Sequence, residues 1–154
     1  MNRPDAALVA DAWLRLVVGL PTSCIGPTLP AARTEPAPDW VIQGFVQHTA
    51  VGGAPGIHVP TRRSVVQVDT WAVRLDSRSV PWGIASRLAE AVWAGTFLES
   101  AQEVALAVPN GYVLPLLRTV HALGEPVKVP DDGAGFAHFR FDLEFTWTLS
   151  TMEV

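Results

Sequence analysis

Cysteine is almost missing from this chain of 154 residues. One residue, Cys24, cannot form an internal disulfide, so nothing in the sequence requires an oxidising compartment. A lone thiol also removes the thiolate-rich zinc sites, and the four histidines (His48, His58, His121, His138) follow no metal-ligand spacing. Lysine is equally scarce, with Lys128 alone, and no basic run is longer than Arg62-Arg63. At a formal charge of −4 the chain lacks the basic stripe with which tight nucleic-acid binders neutralise phosphates. Charged residues make up only 17%, against roughly 25% in ordinary soluble domains. Long apolar runs are absent too. The stretch DAALVADAWLRLVVGLP is interrupted by Asp11 and Arg15 and ends at Pro21, short of the ~20 residues that cross a bilayer. No basic segment precedes it, so the chain reads as soluble, unprocessed and without a membrane partner.

Apolar mass is plentiful. Hydrophobic residues reach 49%, and six tryptophans supply large packing units. A chain of this length reads as one domain, residues 1–154, able to bury roughly 70% of its unfolded surface. Few charges beside many large apolar groups imply that other subunits cover part of the apolar surface.

Periodicity gives the order α-β-β-α-β-β. Pro4 and Asp5 suit the first turn of a helix, which is apolar around most of its circumference. Residues 22–39, with four prolines, read as an extended arm. WVIQGFVQHTAV (40–51) reads as a strand with a bulge at Gly44, and GGAPGIHVPTRR (52–63) as an oversized hairpin tip before the strand SVVQVDTWAVR. Pro81 opens a second helix whose Ala85, Leu88, Ala89, Val92 and Trp93 share a face. YVLPLLRTVHAL (112–123) reads as a third strand, with Pro115 marking an edge or a bulge, and the segment 124–135 as a turn. The clearest signal is FAHFRFDLEFTWTL. There Phe139, Phe141, Leu143, Phe145, Trp147 and Leu149 alternate with polar residues, which predicts one dry and one polar face. The expected fold is α+β: a four-stranded, mainly antiparallel sheet with two helices packed on one face.

Motifs for chemistry are few. GGAPG lacks the strand-to-helix setting of a phosphate loop, DDGAG (131–135) lacks the closing Glu of a calcium loop, and no G-x-S-x-G is present. No cofactor is expected. Asp142 and Glu144, beside Arg140 and His138, could serve acid–base catalysis, but alternating charges on a strand more often form a solvated or cross-strand-paired face. Asp69 lies mid-strand on a face with Val65, Gln67, Trp71, Val73 and Leu75, where its charge must be paired or hydrogen-bonded. Arg140, Arg118 or a residue of another subunit could supply the partner. A structural acid, in a pair or at an interface, is favoured over a catalytic one. Asp69, Arg62, Arg63, Arg140, Asp142 and Glu144 are the candidate subunit or partner contacts.

VVQVDTWA followed by PWGIASRLAEAVWAGT resembles the tail terminator (tail-completion) proteins of bacteriophages with long non-contractile tails. The resemblance spans roughly residues 5–20, 40–97 and 112–149 and rests on element order and one strand–helix pair. It implies a non-enzymatic virion protein, assembled in the host cytoplasm, that forms a six-subunit ring at the head-proximal end of the tail. Such a ring caps the tail tube protein, stops its polymerisation and offers a surface to the head–tail connector. DNA passes through its channel without specific binding. The alternatives are another ring-forming neck or tail-tube component, or a small α+β enzyme or ligand-binding dimer.

Overall fold

The computed structural model describes residues 2–32, 38–55, 60–75, 79–130 and 135–150. Helix α1 (Ala6–Val17) starts at Asp5, whose carboxylate accepts the Leu8 N–H at 2.9 Å, so an orphan donor of the first turn is satisfied. It buries Val9, Ala10, Trp13 and Leu14, while Leu16 stays half exposed. A short 3-10 turn (Thr22–Cys24) leads into β1 (Ile25–Gly26). Helix α2 (Asp39–Gln43) precedes the long hairpin of β2 (Phe45–Pro55) and β3 (Arg62–Val73). Helix α3 (Trp82–Gly95) follows, then β4 (Val104–Ala105), β5 (Pro115–Ala122), β6 (Val127–Val129) and β7 (Phe136–Leu149).

The strands form one curled, mixed sheet in the order β1-β2-β3-β7-β5-β4, with β6 also beside β7. This overturns the four-stranded sheet with two helices: seven strands and three helices are present among the described residues. The added strands have two or three residues each, too short to show a period, and exist because a longer neighbour offers them a ladder. The mixed character comes from β1, which runs parallel to β2. The turn expected over 124–135 holds β6 paired with β7; residues 131–134 lie outside the described residues. Pro115 is the first residue of β5, where no ladder donor is needed from it, and the irregularity in that strand falls between Leu117 and Thr119.

The expected strand start at residues 40–43 is helix α2. Trp40 anchors it, buried against Phe45 at 6.2 Å and stacked on Phe136 at 6.3 Å between ring centroids. Gly44 closes the helix at φ +91°, a conformation that L side chains rarely adopt, and a Cβ there would lie 2.6 Å from Leu88 Cδ1. Gly44→Ala is therefore expected to lower stability by about 1–3 kcal/mol, measured as a fall in the urea midpoint. An unchanged midpoint would show that the turn can relax. The bulge of this strand sits between Ala50 and Gly52, and pairing continues to Pro55↔Arg62, so the tip is shorter than residues 52–63. Residues 56–59 lie outside the described ones, as do 33–37 of the arm.

Helices α1 and α3 cover one sheet face. Val9, Trp13 and Leu14 of α1 and Ala89 and Val92 of α3 meet Val66 and Val68 of β3 and Phe141, Leu143, Phe145 and Trp147 of β7. At the far edge, the Gln102 amide donates to Val120 O at 3.1 Å and accepts from Val120 N at 2.8 Å. One side chain thus takes the place of a further strand beside β5.

Candidate functional site

Odd-numbered residues of β3 and even-numbered residues of β7 point away from α1 and α3. Register sets Asp69 opposite Arg140, Trp71 opposite His138, Gln67 opposite Asp142 and Val65 opposite Glu144. On the other side of β3, Gln47 of β2 faces Asp69. Polar groups of three strands, β2, β3 and β7, therefore meet on this face.

Asp69 is the centre, with only 2% of its surface exposed. His138 Nε2 lies 2.5 Å and Arg140 Nε 2.8 Å from Oδ1, and Gln67 Nε2 donates to Oδ2 at 2.9 Å. A carboxylate can only accept, so Nε2 is the nitrogen of His138 that carries the proton. The His138 ring is stacked on Trp71 at 3.7 Å between centroids and 14° between planes, which fixes its orientation. Trp71 Nε1 donates to Gln47 Oε1 at 3.0 Å, and Gln47 Nε2 donates to the Pro27 carbonyl at 3.2 Å. The arm is thereby tied to the sheet through the same group of residues. Burial pushes the Asp69 carboxyl up, but the hydrogen bonds from His138, Arg140 and Gln67 and the Arg140 charge outweigh it, holding the group below the usual carboxylate range.

The carboxylate that needed a partner thus has three, of which Arg140 was named among the candidates and His138 and Gln67 were not. Strand parity was the available signal: residues 138 and 140 share a face, so an acid opposite one lies within reach of the other. Arg118, the other candidate, is exposed on β5. Asp142 and Glu144 are half-buried on the same face, and Glu144 lies 3.8 Å from His121. Arg62 and Arg63 are exposed at the distal end of the hairpin, where Arg62 also lies over the Trp147 ring at 4.6 Å. The candidates therefore divide into a buried group (Asp69 with half-exposed Arg140), a flanking acidic pair and a hairpin-end basic pair.

Chemically, the Asp69 carboxylate, 2% exposed, spends three of its acceptor sites on donors, and those from His138 and Arg140 tie β3 to β7. Burial also pushes the Cys24 thiol up, away from a reactive thiolate, and the nearby Asp39 charge adds to that. Among the described residues no group of three His, Cys, Asp or Glu could hold a metal ion. No described helix is long and apolar enough to cross a membrane. A second acid, Asp11, is held by His48 at 2.9 Å and Arg15 at 2.6 Å. Arg15 also donates to the carbonyls of Thr22 and Ile25, so the start of the arm is ordered by its own chain.

Sheet, helices and site together define an α+β domain whose polar centre is a cross-strand clamp. No family model and no curated protein matches the chain. Among solved structures it is similar to a chain of the virion of a native gene transfer agent particle, with a TM-score of 0.52 and 13% identity. The likeness covers 92% of this chain and 88% of that one and is a likeness of fold.

Proposed function

We propose that the protein is a structural component of a phage-like virion, a tail terminator that forms a ring at the head-proximal end of the tail. The observation that carries the reading is the fold shared along nearly the whole of both chains with a virion component. Exposed Leu16, Ile42, Phe97, Leu98 and Leu123 add to it, because apolar side chains in these numbers suit a surface buried by neighbours. Charge adds a second support. Six copies at −4 each would carry −24, and an acidic ring lets DNA pass without holding it.

In this reading the ring caps the tail tube protein and presents its other face to the head–tail connector. Arg62 and Arg63 contact a neighbouring ring, since each guanidinium can fork onto a carboxylate. The test is direct. The purified protein should run as a hexamer by light scattering and show closed rings by electron microscopy. Particles carrying Arg62→Ala with Arg63→Ala should lose head–tail joining while the isolated protein stays folded. A monomer or open filament at all concentrations would reject the ring, and normal infectious particles would reject the arginine contact.

A further inference from the structure

Helix α3 separates two surface features that complement each other. Successive helical residues turn by roughly 100°, so Ile84, Leu88 and Ala91 lie on one flank and Trp93 about half a turn away. On the first flank is an open apolar groove. Its walls are Val17 at the end of α1 and Leu20 just past it, Ile42 of α2, and Ile84 and Leu88 of α3, with Gln43 and Arg87 as the polar side chains of its lining. Ile42 is 66% exposed there, although it is a β-branched apolar residue. Past the other end of α3 stands Phe97, 70% exposed, its ring propped edge-on by Trp93 at 4.9 Å. Leu98 is exposed beside it, and Glu99 and Glu103 border this projection and outnumber Arg118.

We propose that Phe97 and Leu98 of one copy seat in the α1–α2–α3 groove of the next copy, with Glu99 of the first facing Arg87 of the second. The argument for a second copy is twofold. Acids border the projection where a base borders the groove, so the two are matched in charge as well as in apolar character. They also lie on different flanks of α3, the groove beside Ile84, Leu88 and Ala91 and Phe97 past the helix end on the Trp93 side, so Phe97 faces away from the groove of its own copy. A projection and a groove at different places on one surface make a head-to-tail contact, which repeats from copy to copy. The contact stands on its own geometry; only its closure into a ring rests on the tail-terminator reading.

Disulfide trapping tests it, with Cys24 fully buried and wild type as the control. Ile42→Cys and Phe97→Cys chains, each checked by circular dichroism for an unchanged melt, are mixed and oxidised. The expected product is a 42–97 linked dimer, and a chain carrying both substitutions should give a ladder of linked multimers. Dimers linked 42–42 or 97–97, or no link while wild type remains multimeric, would overturn the contact. A ladder that forms open filaments would support the contact and reject the ring. As a second readout, Arg87→Glu should weaken association at least tenfold and Arg87→Glu with Glu99→Arg should restore it. A double variant as weak as Arg87→Glu alone would reject the facing charges.

Discussion

Phe145→Ala is expected to lower the free energy of unfolding by about 3–5 kcal/mol, read from urea denaturation followed by tryptophan fluorescence. The reason is position. Phe145 is 1% exposed, and its ring meets Trp13 of α1 edge-on at 5.5 Å between centroids. Its backbone pairs with Ser64 of β3 on one side and Val120 of β5 on the other, so ladders on both sides hold the surroundings open when the ring is removed. Collapse into the vacated space would have to move α1 against the sheet, and an uncollapsed cavity carries the full penalty. A melting temperature within a degree of the parent would mean that β7 is not in the register described.

Asp69→Ala should come second, at about 2–3 kcal/mol. Breaking a buried ion pair costs about 3–5 kcal/mol, and the half-exposed Arg140, which regains water when released, lowers that figure. Asn at the same position keeps an acceptor for one donor and should lose less. The effect has a pH signature. Because the folded-state carboxyl is held below its ordinary value, its contribution is present above the unfolded pKa and disappears as pH falls through the folded one. Wild type should therefore lose stability over Asp69→Asn's baseline only in the acid range, and the two stability curves should converge there. Parallel curves down to the lowest accessible pH would show that the Asp69 carboxylate gives the fold nothing through its charge.

What could be read from sequence follows from element length and from neighbours. The β7 alternation runs over a dozen residues, long enough for a period of two to stand out, and the register of Asp69 follows from that same period. The segment 40–43 misled because Val41 and Ile42 favour strands, whereas Trp40 and the positive φ of Gly44 decide the outcome through tertiary contacts. Strands β1, β4 and β6 had no chance of being seen, since two or three residues carry no period of their own. The Asp69 group was half legible. A mid-strand acid announces that it needs donors, but the stacking of His138 on Trp71 depends on which strand lies next to β3, and β7 follows β3 by more than sixty residues.

Gln102 bears on how such a protein behaves when it is made in quantity. An unpaired strand margin is a template for pairing with another chain, and crowding of copies gives that pairing its chance. By answering both backbone groups of Val120, the Gln102 amide terminates the ladder from within the molecule. Main-chain pairing, which is indifferent to sequence, is thus denied to a second copy at that place. Any contact made there would fall to side chains, which mutation can strengthen or weaken one at a time.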